Sequence, residues 1–136
     1  MLDHVDRKKR SLIMAAVRSK DTRPELAVRK IVNGLGYRYR LHVGTLPGRP
    51  DLVFPARRKV VFVHGCFWHR HRNCRYASSP KTRRKFWEAK FAANVARDRR
   101  TARELKRMHW AVLTVWQCEL KKPERLTGRL DDFLSK

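Results

Sequence analysis

The sequence has few acidic residues for its length. Asp and Glu number 12 in 136 residues, against 34 Lys and Arg, which gives a formal net charge of +22 and a pI near 11.3. Self-repulsion on this scale destabilises a compact state, so a polyanionic partner is the natural explanation. A nucleic acid is therefore the expected partner; the alternatives are a merely soluble basic protein and one that lies on anionic membranes.

Long apolar segments are also missing. No uninterrupted apolar run approaches the length needed to span a bilayer, and no amphipathic Lys-rich anchor stands out, which disfavours the membrane alternative. The N-terminus is polar and leads into the basic run 7–10, without the apolar segment of a signal peptide. We therefore expect a cytoplasmic protein.

Cysteine is scarce, with three residues in the chain. In the cytoplasm an odd number does not suggest a disulfide framework, and it fits metal ligation better. Cys66, His71 and Cys74 lie close together, and Cys118 follows the last predicted strand. Three thiolates and one imidazole form a closed structural zinc site; buried or free cysteines are the alternative. A closed site has no open position for substrate, so this zinc would stabilise the fold only.

The length and the 42% hydrophobic content predict one domain over residues 1–136 with a modest core. The expected helices are a basic N-terminal arm or helix over 1–20, a capped helix over 22–36, a long basic helix over 81–108, and a last helix from Pro123. The expected strands are 37–43, 51–54, 59–63 and 110–116. The expected inner stripe of the long helix is Phe86, Phe91, Val95, Ala102, Leu105 and Met108. This order predicts an α/β domain with a mixed central sheet flanked by helices.

Carboxylates and imidazoles are predicted to meet at one edge of this sheet. Asp51 begins one strand and His64 ends the next, so a hairpin brings them together, with His69 on the following loop and Glu25 and Asp98 on flanking helices. A phosphodiesterase needs hard oxygen ligands for Mg²⁺ and groups that move protons. Asp51 suits the metal and the histidines suit proton transfer. Each residue also has an ordinary alternative, such as helix capping for Glu25, and only convergence favours catalysis.

Phe67 and Trp68 are aromatic residues in a polar, basic segment. They lie between a candidate metal ligand and His69, so they cannot easily all be buried. Aromatic residues interleaved with arginines are typical of a wedge that stacks on bases and kinks a duplex. For Trp87, within the long helix, a core position is the ordinary expectation. Basic residues near the N-terminus are expected to contact phosphates; they are Arg7, Lys8, Arg18 and Lys20.

Three segments together resemble the very-short-patch repair (Vsr) DNA mismatch endonucleases. They are residues 46–51 (Leu-Pro-Gly-Arg-Pro-Asp), residues 64–74 (His-Gly-Cys-Phe-Trp-His followed by His71 and Cys74), and residues 86–100 with Phe-Trp, Asn-Val and Arg-Asp-Arg-Arg. The likeness spans essentially the whole chain. It implies a restriction-endonuclease-like core, with Phe62 and His64 where many nucleases of that fold carry a Glu-x-Lys pair.

The resemblance implies a single endonuclease domain that hydrolyses one DNA strand with Mg²⁺, 5′ to the T of a G:T mismatch left by deamination of 5-methylcytosine. Asp51 and the backbone carbonyl of Val63 would bind Mg²⁺, and His64 and His69 would act on water and phosphate, supported by Glu25 and Asp98. The structural zinc ligands would be Cys66, His71, Cys74 and Cys118, and the wedge would be Phe67, Trp68 and Trp87. The basic N-terminal arm would bind double-stranded DNA.

Several further expectations follow from the resemblance. Mismatch-repair proteins are candidate partners, the location is the bacterial nucleoid, and a monomer suffices because a nick needs one active site. A family member that cuts matched, sequence-specific DNA is one alternative. A zinc-stabilised DNA-binding module without catalysis is another, and the intact Asp51, His64 and His69 argue against it.

Overall fold

A computed structural model of the protein describes residues 21–136. The predicted arm or helix over 1–20, with Arg7, Lys8, Arg18 and Lys20, lies outside the described residues. Within the described part, the main elements in chain order are α1 (Arg23–Leu35), β1 (Leu52–Phe54), β2 (Lys59–His64), α2 (Arg84–Arg107), β3 (Ala111–Trp116) and α3 (Pro123–Ser135). Short 3-10 helices lie at Pro55–Arg57 and Gln117–Lys121. No helix among these residues is long and apolar enough to cross a membrane.

The described strands form one mixed sheet in the order β1-β2-β3. β1 pairs antiparallel with β2, with Leu52 opposite Val61, and β2 pairs parallel with β3, from Lys59 opposite Ala111 onward. A parallel pair needs a long crossover, and α2 lies in the segment that joins β2 to β3. The prediction of a mixed sheet flanked by helices is therefore confirmed.

Helices α1 and α3 cover one face of the sheet. The predicted capping box at the start of α1 is present, with Thr22 and Glu25 each accepting a hydrogen bond from the other's backbone N–H, and Gly36 ends the helix at φ +87°. The buried residues of this face come from both helices and all three strands; they are Val28, Val32, Leu52, Phe54, Val61, Val115, Leu126, Leu130 and Leu134.

Helix α2 covers the other face, but only part of its predicted inner stripe is buried. Leu105 packs with Val53, Val60 and Phe62 of the sheet, whereas the expected core residues Phe86 and Met108 are 43% and 41% exposed. The reason is length. The 24 residues of α2 span about 36 Å, while a six-residue strand spans about 20 Å, so the sheet cannot cover the whole helix.

The expected strand over 37–43 is wrong. A single antiparallel bridge joins Arg40 to Val53, with N···O distances of 2.8 and 3.0 Å. The extended run is interrupted at His42, whose φ of +56° lies in the left-handed region. Apolar residues of the segment still reach the core, and the Tyr39 ring contacts the Phe54 ring edge-on at 6.1 Å. The alternating pattern therefore identified the side chains that pack against the core but not the backbone conformation.

Candidate active site and metal centre

Asp51 lies immediately before β1, at the end of a tight turn. Gly48 in this turn has φ +73°, and a Cβ at Gly48 would lie 2.3 Å from the Thr101 side chain of α2, so only glycine fits this close approach. The antiparallel register of β1 and β2 then brings Asp51 to the end of β2. Its Oδ2 accepts a hydrogen bond of 2.6 Å from the Val63 N–H.

Glu25 supplies a second carboxyl, itself buried, beside the half-buried Asp51. It is 5% exposed, and its Oε2 accepts from the Thr22 N–H at 3.3 Å and lies 3.6 Å from Nη2 of Arg29. Burial, together with the neighbouring Glu25, raises the pKa of Asp51 to about 8. The hydrogen bond from the Val63 N–H and the charge of Arg29 act in the opposite direction. Two carboxyls that share a buried site are costly to ionise together unless a cation joins them. This pair therefore has the character of a cation site.

His64, His69 and Asp98 form a second group. The two imidazole rings stack with centroids 3.8 Å apart and planes 6° apart, and His69 Nδ1 lies 2.6 Å from Asp98 Oδ2. Burial, followed by the nearby charge of His69, lowers the pKa of His64 to about 4, so His64 is neutral at pH 7. Burial acts to raise the pKa of Asp98, but its hydrogen bond to His69 and the positive charges nearby outweigh this and lower it. An ionised Asp98 thus orients His69.

Both groups line a single cleft of about 990 Å³. Glu25, Asp51 and Val63 form one part of its wall, and His64, His69 and Asp98 form another. A smaller cavity of about 400 Å³ lies between α2 and the sheet and shares the two histidines and Asp98. The five residues predicted to be catalytic are therefore brought together, although they come from two helices, the turn before β1, the end of β2 and a loop.

Four predicted zinc ligands also converge. The ligand atoms of Cys66, His71, Cys74 and Cys118 all lie within 4.8 Å of one another. Sγ of Cys66 and Sγ of Cys118 lie 3.6 and 3.4 Å from His71 Nδ1, and a tetrahedral zinc with ordinary bond lengths requires about 3.6 Å between S and N. Burial, with the neighbouring thiols, raises the pKa of Cys66 to about 12. The donor set and its spacing fit a tetrahedral metal ion that would hold the sulfurs as thiolates.

The three predicted wedge residues lie in one aromatic cluster but differ in exposure. Trp87 is 2% exposed and packs beneath the half-buried Phe67 and Trp68, with ring centroids 5.7 and 5.8 Å away. In this arrangement Phe67 and Trp68 present ring surface and Trp87 supports them. A contact between Trp87 and bases would require the cluster to open on DNA.

Sequence reasoning missed several residues that hold these groups in place. Arg29 lies one helical turn after Glu25, and this i, i+4 spacing was the available signal. Arg70 places its guanidinium 4.1 Å from the Phe91 ring centroid and donates to the carbonyls of Phe67, Ala77 and Ser78. Asn94 donates through Nδ2 to the Trp68 carbonyl at 3.1 Å. The spacing of Arg70 and Asn94 in the sequence gave no signal for these contacts.

The fold defines a class of protein, the α/β domains with a restriction-endonuclease-like core. The solved catalytic domain of the homing endonuclease I-Bth0305I superposes with a TM-score of 0.59, covering 83% of this chain and 94% of that domain at 20% identity. This comparison confirms the predicted fold class.

Sequence comparisons then identify the family. The family model described as DNA mismatch endonuclease Vsr matches residues 2–75. The chain is 50% identical over 134 residues to the Type II nicking enzyme V.XorIIP of Xanthomonas oryzae pv. oryzae, covering 98% of both chains. It is 42% identical over 139 residues to the DNA mismatch endonuclease Vsr of Escherichia coli K12, covering 98% of this chain and 88% of the relative. The chain belongs to the Vsr family of DNA endonucleases, as the sequence motifs predicted.

Proposed function

We propose that this endonuclease nicks one strand of double-stranded DNA 5′ to the T of a G:T mismatch, as produced by deamination of 5-methylcytosine, through Mg²⁺-dependent hydrolysis of the phosphodiester. The observation that carries the proposal is the meeting of a carboxyl pair, Glu25 and Asp51, and a stacked histidine pair in one cleft. Such a cleft supplies both the metal ligands and the proton-transfer groups that phosphodiester hydrolysis needs. Family membership supports the same chemistry.

Asp51 and the Val63 carbonyl would hold Mg²⁺, with Glu25 beside them. A strand residue points its N–H and C=O to the same neighbouring side, and the Val63 N–H points at Asp51. The Val63 carbonyl is therefore expected on the same side as the Asp51 carboxyl. When bound, Mg²⁺ stabilises the charge that develops on the phosphate and lowers the pKa of water.

His64 and His69 would divide the remaining work. His64 is neutral at pH 7 because its pKa is about 4, so it can accept a proton from the attacking water. Asp98 accepts the Nδ1–H of His69, which fixes the ring and leaves Nε2 for the phosphate. Asp98 thereby acts through His69, and the low pKa of Asp98 keeps it ionised for this purpose.

The loop over 64–74 would carry scaffold and DNA recognition together. Cys66, His71, Cys74 and Cys118 would bind a structural zinc that ties this loop to the end of β3. Phe67 and Trp68 would insert beside the mismatch, with Trp87 beneath them or rearranged to join them. The arm that contains Arg7, Lys8, Arg18 and Lys20 would bind phosphates. We further propose that the enzyme acts as a cytoplasmic, nucleoid-associated monomer, with mismatch-repair proteins as partners.

A second candidate function is the nicking of matched, sequence-specific DNA. The observation that favours it is that the relative with 50% identity is named a Type II nicking enzyme, as is a 39% identical relative from Neisseria meningitidis. The two candidates use the same cleft and differ only in the duplex that is cut.

A nicking assay separates the two functions. Duplexes that differ only by G:T, G:C or A:T at one position, in several flanking sequences, are incubated with enzyme and Mg²⁺. We expect the G:T duplex to be nicked fastest; equal or faster nicking of matched duplexes would establish the second candidate. The Asp51→Ala variant should lose nicking and retain DNA binding, and surviving activity would remove Asp51 from the metal site.

A further inference from the structure

Three cationic side chains line the cleft, and one of them, an exposed arginine, is hydrogen-bonded to a neighbouring side chain. They are Arg49 from the turn before β1, and Lys90 and Arg97 from α2. Nη2 of Arg97 donates to Oδ1 of Asn94 at 2.9 Å, and Arg97 directly precedes Asp98, the partner of His69. The Arg97 charge also contributes to lowering the pKa of Asp98, so its guanidinium lies near that carboxylate.

Asn94 joins this guanidinium to the predicted wedge. Its Oδ1 accepts from Arg97, while its Nδ2 donates to the Trp68 carbonyl at 3.1 Å. Trp68 in turn directly precedes His69 in the loop. A single amide side chain therefore connects the backbone of the wedge to a cation in the cleft, and no catalytic or binding role assigned above uses either residue.

We propose that Arg97 binds the scissile phosphate and stabilises its transition state, and that Asn94 is the positioning residue that holds Arg97 relative to the wedge. The planar guanidinium fits two phosphate oxygens at once. Negative charge on those oxygens must be stabilised as the reaction proceeds, and a preorganised cation in a cleft does this without reorganising. The proposal rests on the phosphodiester hydrolysis proposed above and adds a residue to it.

Single-turnover nicking at saturating enzyme tests the role of Arg97. We expect Arg97→Ala to slow the cleavage step by roughly 10²-fold, as for loss of one preorganised donor, while Kd rises by no more than about threefold because many phosphates are contacted. The Arg97→Lys variant should cleave at an intermediate rate, because lysine keeps the charge but cannot bind two phosphate oxygens in the bidentate way of a guanidinium. The matched control is Arg103→Ala, an exposed cation on the same helix that lines neither cavity. Equal rates for the two alanine variants, or a defect that vanishes at saturation, would overturn the assignment.

A double-mutant cycle tests the positioning role of Asn94. Asn94→Leu, which removes both hydrogen bonds, should slow the same step, and Asn94→Leu/Arg97→Ala should be no slower than Arg97→Ala alone. Asn94→Asp keeps the acceptor for Arg97 and removes the donor to Trp68, so it should cleave faster than Asn94→Leu. Multiplicative defects, or an aspartate variant as slow as the leucine variant, would show that Asn94 does not act through Arg97.

The substrate for these measurements is whichever duplex the wild-type enzyme nicks fastest. A failure of the G:T preference would therefore be seen in the wild-type protein and would leave the Arg97 experiment intact. Conversely, a strong G:T preference with an unimpaired Arg97→Ala variant would support the proposed function and refute this inference.

Discussion

Replacing Asp51 with Asn removes an acid whose ionisation the fold makes costly. Burial raises the pKa of Asp51 from 3.8 to about 8, even though the Val63 N–H and Arg29 oppose the change. Between these two values the folded protein holds a proton that the unfolded chain has released, so the contribution of Asp51 to stability falls as pH rises from about 4 to about 8. Asparagine is neutral throughout and keeps an oxygen that can accept from the Val63 N–H.

The size of the effect follows from the same pKa. A tenfold change in proton affinity corresponds to about 1.4 kcal/mol, so at pH 7 the buried acid costs roughly 4 kcal/mol relative to a solvated one. The asparagine amide has its own desolvation cost, and we therefore expect Asp51→Asn to gain roughly 2–4 kcal/mol at pH 7. For a chain of this size that corresponds to a Tm increase of roughly 10 °C. The same substitution should abolish nicking, because the amide is a poor Mg²⁺ ligand in place of a carboxylate.

Thermal unfolding between pH 5 and pH 8, in buffer without Mg²⁺ and without chelators, measures the effect. The stability difference between Asp51→Asn and wild type should grow with pH. Asp98→Asn is the matched control with the opposite sign, because the hydrogen bond and charge of His69 lower the pKa of Asp98 and its loss should destabilise the protein. Added Mg²⁺ should raise the Tm of wild type and not of Asp51→Asn. A stability difference that is absent, or independent of pH, would refute the reasoning.

Three further predictions concern the metal centre and DNA. Elemental analysis should find about one zinc per chain, as a closed four-ligand site requires. The Cys118→Ser variant should have both a lower zinc content and a lower stability. A zinc-free wild-type protein would contradict the four-ligand site. Trp68→Ala should weaken binding to mismatched DNA by about 1–3 kcal/mol, the usual value of one base–aromatic stack, measured by fluorescence anisotropy; unchanged affinity would exclude it from the wedge. DNA affinity should fall by about 10³-fold or more between about 50 and 200 mM salt if six or more phosphates are contacted, and a flat salt dependence would argue against the basic-arm proposal.

Much of the fold was predictable because its signals are local. The capping box at Thr22 and the glycine at Gly36 gave both ends of α1. The apolar run 59–63 gave the central strand, which is buried along most of its length. Helix propensity over 81–108 gave α2 to within three residues at the N-terminal end and one at the C-terminal end. In each case the side chains that determine the conformation lie within a few residues of the backbone segment that adopts it.

Predictions that depended on tertiary contacts were less accurate. Alternation over 37–43 predicted a strand, yet the left-handed φ of His42 limits the pairing to one bridge. The apolar period of α2 could not distinguish Phe86 from Trp87, because burial there is decided by contact with Phe67 and Trp68 of a distant loop. Helical spacing defines the faces of a helix, and the neighbouring loop decides which face is covered.

The chemistry available to this protein can be read from its residues. Its charge predicts a polyanionic partner, its three cysteines with His71 match a metal donor set, and its motifs identify the Vsr family. How these residues meet is set by the tertiary structure. It brings Cys118 within 3.4 Å of His71 across 47 residues, and the antiparallel pairing of β1 and β2 brings Asp51 to Val63. Distances between residues far apart in a chain are set by packing of whole elements, which no local pattern encodes.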